Sequence, residues 1–297
     1  MSKVLVLGGV SYDTIIHLKD FPKQQPATIH AKRTHETIGS TGAGKALSLN
    51  QLGVNVTLQG LIGDDAYGEK ISRYLSEHHV NFLSESDPEG TERHVNLMNE
   101  AGNRISIFTN SSSFNPEVDY NKMINEIKHS QYIVLNIMNY CRNYIPLIKK
   151  EQKEIWCDIH DYDGKNPYHK DFIDASDYLF MSSDNLEDYK DVMKTLINQG
   201  KKLVICTHGK EGVTALTKDS TWYNLPVIEK YECVDTNGAG DNFFAGFLYG
   251  FIRKNSIQKC LQFGTITAGL CITSNELVSD RLTEDLLEVE YKKYYDN

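Results

Sequence analysis

The chain has 297 residues, 40% of them hydrophobic and 24% charged, with a formal net charge of -9. That length suits one large α/β domain or two ordinary ones, and the composition is that of an ordinary globular protein. No apolar run approaches the ~20 residues that span a bilayer, and the acidic balance argues against a nucleic-acid binder relying on a broad basic surface. Nucleotides stay open as ligands, because local backbone donors bind them rather than global charge.

The start, Met1-Ser2-Lys3-Val4-Leu5-Val6-Leu7, enters a short apolar strand at once. It lacks the long apolar core and cleavage site of a secretory leader, so the expected location is the cytoplasm. Strands are predicted over 4–7, 56–61, 132–135, 155–157, 178–180 and 203–207. Helices are predicted over 43–52, 67–78, 120–127 and 185–198, with two more after 238. This alternation predicts a doubly wound, mostly parallel sheet flanked by helices, in a single domain over 1–297. Two stretches break the pattern. Residues 12–37 are polar and lack helical periodicity, and 92–108 read as a β-hairpin turning at Asn99-Glu100-Ala101-Gly102-Asn103. Together they are expected to form a small sheet off the main one, either a lid over an active site or a decorative edge. The cysteines at 141, 157, 206, 233, 260 and 271 form no Cys-x-x-Cys pair. They read as buried free thiols, with neither a zinc site nor a redox motif indicated.

Chemistry concentrates in Val234-Asp235-Thr236-Asn237-Gly238-Ala239-Gly240-Asp241-Asn242-Phe243-Phe244-Ala245-Gly246. After Asp241 the positions Phe243, Phe244, Phe247, Leu248, Phe251 and Ile252 recur at helical spacing, which puts the glycines at the first turn of a helix. Small residues there let backbone N–H groups approach an anion, and the positive helix end adds attraction. A carboxylate just past such a cradle can take the proton of a hydroxyl attacking a bound phosphate.

This segment closely resembles the C-terminal signature of the ribokinase-like (PfkB) family of carbohydrate and nucleoside kinases, Asp-Thr-x-Gly-Ala-Gly-Asp. Other stretches match the family in order and spacing. Gly8-Gly9-Val10-Ser11-Tyr12-Asp13 is similar to the end of its first strand. Gly60-Leu61-Ile62-Gly63-Asp64-Asp65-Ala66-Tyr67-Gly68 is similar to an inner stretch, and Thr207-His208-Gly209-Lys210-Glu211-Gly212 to its Thr-x-Gly-x-x-Gly turn beside the nucleotide. The resemblance implies a kinase that moves the ATP γ-phosphate, with Mg2+, onto a hydroxyl of a sugar or sugar-like acceptor. It implies Asp241 as base and Gly238, Ala239 and Gly240 as anion hole. Ser11 and Asp13 are implied at the acceptor, and Thr207, Gly209 and Gly212 at the nucleotide. It also implies a homodimer paired through the lid sheets.

Gly39-Ser40-Thr41-Gly42-Ala43-Gly44-Lys45-Ala46 almost spells a P-loop, but Ala46 lacks the hydroxyl that motif places on magnesium. In the family frame Gly39 and Ser40 fall on a glycine pair lining the acceptor pocket. Gly44 falls where an acceptor-binding Asn is usual, so one direct contact is missing. Lys45 is then either a solvated helix-face lysine or a substrate contact, and a P-loop NTPase using Gly39 to Lys45 is one rival function. A non-catalytic ligand-binding relative is the other. In place of the family's Asn-x-x-Glu, either Asn185 with Asp188 or Ser183 with Glu187 serves magnesium and phosphate, unless Ser183 or Asp184 simply caps a helix. Asp158-Ile159-His160-Asp161-Tyr162-Asp163 groups polar side chains at the sheet edge where α/β folds bind ligands, and no dedicated metal site is predicted there. Thr265 is placed beside adenine, and Arg104 and Asn136 are candidates for the acceptor. The family's potassium loop carries Glu276-Leu277 in place of Gly-Ala, which argues against potassium activation.

Overall fold

A computed structural model describes residues 3–100 and 102–296. Met1, Ser2 and Ala101 of the expected hairpin turn, with Asn297, lie outside the described residues. The chain opens with β1 (Lys3–Leu7), β2 (Ser11–His17), β3 (Arg33–Gly39), α1 (Thr41–Gln51), β4 (Asn55–Ile62), α2 (Ala66–Glu77), β5 (Asn81–Ser86), β6 (Arg93–Met98) and β7 (Arg104–Asn110). It continues through α3 (Ile124–His129), β8 (Tyr132–Leu135), α4 (Ile145–Lys150), β9 (Ile155–Asp158), α5 (Lys170–Ala175), β10 (Tyr178–Ser182), α6 (Tyr189–Asn198), β11 (Leu203–Thr207), β12 (Val213–Thr217) and β13 (Trp222–Leu225). The last helices are α7 (Ala239–Ile252), α8 (Ile257–Ile272) and α9 (Glu284–Tyr295).

The large sheet has the order β13-β12-β11-β10-β9-β8-β1-β4-β5, parallel from β11 to β5, with β12 and β13 added antiparallel. Its strands are apolar on both faces because helices cover both. Val4 and Val6 of β1 pack into the core shared with α1, α7 and α8, while Leu5 and Leu7 face the opposite core with Ile127, Ile148 and Phe172. The chain moves from β1 to β4 and β5 on one side, then returns through β8 to the other. The strand order therefore reverses at β1, and in such sheets the crevice at the strands' C-terminal ends is where ligands bind. Helix α7 is buried from Asn242 to Gly250, wedged against α8 and the sheet, which is why its apolar residues go all round.

A second, four-stranded sheet in the order β3-β2-β6-β7 stands apart from the first. The hairpin expected over 92–108 forms as β6 and β7, with a bulge at Arg93/His94. The polar stretch 12–37 contains β2 and β3, paired antiparallel from Ser11↔Gly39 to His17↔Arg33. Its alternation was hard to read because the buried positions of β2 are Ser11, Asp13 and Ile15, polar at two of three. Helix α6 begins at Tyr189 rather than 185, since Asp188 caps it by accepting from the Asp191 N–H at 3.0 Å. Three helices follow 238 where two were expected, and 120–127 splits into a 3-10 turn and α3.

The Gly63-Asp64-Asp65 stretch joins the two sheets. Asp65 caps α2 through one oxygen, accepting from the Tyr67 and Gly68 N–H groups at 2.9 Å, and its other oxygen accepts from Thr91 N–H at 2.8 Å. Five cysteines are buried and Cys233 is exposed, all as free thiols. Among the described residues no helix is long and apolar enough to cross a membrane.

Helix α1 is docked so closely on the end of β1 that only glycine fits at 42, where an added Cβ would lie 1.8 Å from the Gly8 carbonyl oxygen. Gly42→Ala is expected to lower the free energy of unfolding by about 3 kcal/mol. Urea denaturation checks this, and an unshifted midpoint would contradict the close docking.

Candidate active site

The crevice at the strand switch is sewn together by backbone-directed bonds. Asn136, just past β8, is fully buried and donates to the carbonyls of Leu7 at 3.1 Å and Gly8 at 2.9 Å. Its Oδ1 accepts from Thr41 Oγ1 at 3.4 Å, and the Ala43 N–H donates to Gly9 at 2.9 Å. Asn136 therefore closes the joint between β1, β8 and α1. Ser40, the residue before α1, has φ 71° and ψ 155°, a conformation almost confined to glycine. Holding a serine there costs on the order of 1–3 kcal/mol and is a mark of functional segments.

Gly238 takes the left-handed conformation that starts α7, with φ 78°. The first-turn N–H groups of a helix have no partner within it; that of Ala239 donates to the Thr236 carbonyl at 3.3 Å, closing the turn, which leaves those of Gly240 and Asp241 at the start of α7. The turn is braced from behind by Asn242, whose amide donates to Gly238 O and Leu277 O, each at 2.9 Å. Asp241 Oδ1 accepts from Thr41 Oγ1 at 2.6 Å and from the Lys45 ammonium at 2.6 Å. Gly44 faces the same carboxylate, and a Cβ there would come within 3.0 Å of Asp241 Cβ.

Lys45 is 0% exposed, which overturns its reading as a solvated lysine. Its ammonium contacts Asp241, Thr41 and, at 3.3 Å, Asp158 Oδ2, with Phe244 beneath it at 5.1 Å to the ring centre. Burial works against the charge, but Asp241 and Asp158 outweigh it and raise the lysine's pKa. Burial likewise opposes ionisation of Asp158, yet His160 and Lys45 hold its pKa below the ordinary value. The segment is no P-loop: residues 41–45 are already helical, and the lysine serves carboxylates. The sequence carried no signal for its burial: Thr41, Lys45 and Ser48 fall on one helical stripe that reads as a polar face, yet every residue from Thr41 to Leu49 is buried.

On the small sheet, Asp13 is 3% exposed and packs against Gly39. Its carboxylate accepts from Ser11 Oγ at 2.7 Å, Asn96 Nδ2 at 3.1 Å and His94 Nδ1 at 3.2 Å. His94 Nε2 lies 3.2 Å from Glu92 Oε1. Burial disfavours the imidazolium, but Asp13 and Glu92 prevail and lift the His94 pKa to about 9. Neither His94 nor Glu92 stood out in the sequence. Arg104 is exposed and donates to Asn237 Oδ1 at 2.9 Å, in the turn before α7, so it reaches the glycine-rich loop. His17, His35 and Asp235 bring potential ligand atoms within 4.8 Å of one another at the same seam. There Arg33 donates to His17 Nε2 at 2.8 Å, and burial together with that guanidinium lowers the His17 pKa. Glu276 accepts from Thr37 Oγ1 at 3.2 Å.

Beyond β10 and β11 lies a cleft of about 420 Å³ lined by Ser183, His208, Thr214, Asn224 and Pro226 among others. Ser183 Oγ bonds His208 Nδ1 at 2.9 Å, and His208 Nε2 bonds Thr214 Oγ1 at 3.0 Å. Thr207 ends β11, Gly209 opens a 3-10 turn, and Gly212, at φ 102°, leads into β12. Asn185 is exposed and donates to the Asp161 carbonyl at 2.8 Å, so it binds the neighbouring loop. Thr265 is buried on α8. Asp241, Gly44 and Lys45 thus meet beside the Gly238–Gly240 turn, with Asn136 and Ser40 at the adjoining start of α1. Ser11, Asp13 and Gly39 meet on the small sheet. Ser183 lines the cleft, with Thr207, Gly209 and Gly212 in the chain segment beside it. Arg104, Asn185 and Thr265 stand apart from these sets except for the Arg104 bond to Asn237.

A doubly wound sheet, a second small sheet and a glycine-started helix at the strand ends together define a ribokinase-like fold. The chain belongs to the pfkB family of carbohydrate kinases, whose profile matches residues 1–283. It is 27% identical to acarbose 7(IV)-phosphotransferase of Actinoplanes sp. over 274 residues, 91% of this chain and 92% of that one. It is 24% identical to the nucleoside kinase of Methanocaldococcus jannaschii over 314 aligned positions, covering 99% and 98% of the two chains. Among solved structures, a microbiome-derived acarbose kinase superimposes with a TM-score of 0.87 at 28% identity, over 97% of this chain and 98% of that one. Ribokinase of Arabidopsis thaliana, solved with ribose and ATP, gives 0.79 at 21% identity, over 97% and 99%.

The His94 cluster sets a pH dependence of stability. Its folded pKa lies above the ordinary histidine value of 6.5, so its contribution is complete below about pH 6.5 and is lost as pH rises through about 9. The expected loss is on the order of 2–3 kcal/mol. Denaturation midpoints followed across that range in wild type and His94→Gln should diverge at the acid end and converge at the alkaline end. Parallel curves would take His94 out of the account.

Proposed function

We propose that the protein transfers the γ-phosphoryl group of ATP to a hydroxyl of a sugar-like acceptor, with Asp241 as the base. The observation that carries this reading is the Asp241 carboxylate, in the first turn of a glycine-started helix. One of its oxygens is fixed by Lys45 and Thr41, while the other has no hydrogen-bond partner among the described residues. In the proposed step the acceptor O–H gives its proton to Asp241 Oδ2, the oxygen attacks the γ-phosphorus, and the bond to the β-phosphate oxygen breaks to release ADP. In this reading the turn Gly238 to Gly240 forms the anion hole through its uncommitted N–H groups, since that of Ala239 is held by the Thr236 carbonyl.

The exposed oxygen donors Asp184, Glu187 and Asp188 beyond β10 are the hard ligand type that magnesium takes. They fit Mg2+ arriving with ATP, which supplies neutralisation of phosphate charge. The cleft lined by Ser183, beside the Thr207 to Gly212 segment, holds the nucleotide in this reading, with Thr265 of α8 the residue proposed beside adenine. The small sheet acts as the lid, with Asp13 holding the acceptor side of the crevice in shape through its bonds to His94 and Asn96. Two acarbose kinases at 27% and 28% identity favour an acarbose-like acceptor over a free pentose. The exposed apolar edge of β7, with Ile105 and Ile107, supports pairing of two copies through their small sheets.

The test is ADP release from magnesium-ATP by wild type and Asp241→Asn, offered acarbose, ribose, other sugars, sugar acids and nucleosides in turn. Acceptor-dependent turnover that falls roughly 10²–10⁴-fold in a folded variant is expected. Undiminished turnover in Asp241→Asn would sink the mechanism, and ATP binding without transfer to any acceptor would point to a non-catalytic relative.

A further inference from the structure

We propose that Lys45 is a positioning residue of phosphoryl transfer, its buried ammonium gripping Oδ1 of Asp241 and Oδ2 of Asp158 so that Oδ2 of Asp241 is aimed at the acceptor hydroxyl. The inference rests on the reading of Asp241 as base and adds a residue that the sequence left between a bland role and a substrate contact.

The geometry accounts for every donor of the ammonium. A lysine has three N–H bonds, and here three acceptors on three elements meet them: Thr41 on α1, Asp241 on α7 at 2.6 Å and Asp158 at the end of β9 at 3.3 Å. The ammonium also sits over the Phe244 ring, one helical turn inside α7, 5.1 Å from its centre. The preceding residue completes the device. Gly44 has no side chain where Asp241 packs against α1, so the carboxylate approaches α1 closely enough for the neighbouring lysine to hold it. Gly44 and Lys45 thus act as a pair, one making room and the other closing the grip.

A purely structural reading explains less. Replacing a buried ion pair by apolar groups of similar volume is often neutral or stabilising, so three charges kept together behind one helix terminus are poorly accounted for by stability. Orientation accounts for them. A carboxylate in the first turn of a helix, 15% exposed, has several rotamers open to it, and a base must sit within hydrogen-bond reach of the proton it takes. Fixing Oδ1 from two sides leaves Oδ2 as the only oxygen to meet a hydroxyl.

The test uses the full chain and the acceptor found with the wild type. Lys45→Met is expected to lower kcat about 10²-fold, the cost of a misplaced reacting group, while KM for ATP and the affinity for a non-hydrolysable ATP analogue stay within about twofold. Because Lys45→Met leaves two carboxylates unpaired, Lys45→Met/Asp158→Asn is compared with Asp158→Asn alone, and the same fall in kcat is expected between them. Lys45→Ala should regain turnover with added propylammonium, which replaces the missing stem and charge, and not with tetramethylammonium at equal ionic strength. Unchanged kcat in both methionine variants overturns the proposal. So does a fall in kcat matched by a lost melting transition and untouched by propylammonium. A wild type that phosphorylates no acceptor overturns the kinase reading and this role with it, whereas an active wild type beside an equally active Lys45→Met overturns this role alone.

Discussion

An ammonium with no exposed surface keeps its charge only where anions come to meet it, and at Lys45 that requirement ties together segments far apart in sequence. Removing such an ion from water costs several kcal/mol, which is recovered only when geometry and hydrogen bonding are good. Asp241 lies 196 residues further along the chain, and Asp158 ends a different strand. Once α1, α7 and β9 converge on this one group, the rest of the crevice follows. Asn136 locks the end of β8 to the end of β1, and the single proton of the Thr41 hydroxyl, 3.4 Å from Asn136 Oδ1, is directed to Asp241 at 2.6 Å in the first turn of α7. The polar groups from Gly8 to Asp241 are contiguous, and each is held by a neighbour. Position is therefore set by the network rather than by any single side chain.

The sequence was most legible where a local rule governed a whole element. The apolar strands of the large sheet announced themselves because both faces are covered, and the glycine-rich turn could be placed at a helix start by the apolar spacing after it. Legibility failed where tertiary contact overrode local pattern. β2 buries Ser11 and Asp13 against His94 and Asn96, so polar residues occupy the positions that normally reveal a half-buried strand. Asp188 begins α6 later than periodicity suggests, because the residues before it satisfy a neighbouring loop through Asn185. Lys45 was the sharpest failure. Its carboxylate partners lie over a hundred residues away, and nothing within its own helix, where Thr41, Lys45 and Ser48 share a stripe, says whether that stripe faces water or carboxylates.

The departures from the family pattern also make physical sense together. Ser40 occupies a glycine position and still adopts the glycine conformation, so the turn geometry is kept at the expense of strain. Gly44 takes the place of an asparagine that would bond the acceptor, and a side chain there would collide with Asp241 as it is placed in this chain. The polar side chain thus stands one residue on, at 45, where it holds the Asp241 carboxylate.

The small sheet and the turn before α7 are coupled in a way that suits a moving part. Among the described residues two hydrogen bonds join them, Thr236 Oγ1 to Gly102 O at 3.0 Å and Arg104 to Asn237 Oδ1 at 2.9 Å, while His17 Nε2, which accepts from Arg33, only approaches Asp235 at 3.5 Å. Most of the groups involved are partly solvent-exposed, and exposed polar contacts of this kind are each worth little. The interior of the small sheet is the opposite: Asp13, His94, Glu92 and Asn96 are buried and bonded among themselves, and breaking that cluster would strand charges. A rigid sheet joined to the anion-binding turn by several weak contacts can separate as a unit without losing its own fold. The residues that seat the sheet, Asp235 to Asn237, directly precede Gly238, so under the proposed kinase reading a lid movement of this sheet would act on the turn that starts α7 through adjoining residues of a single loop.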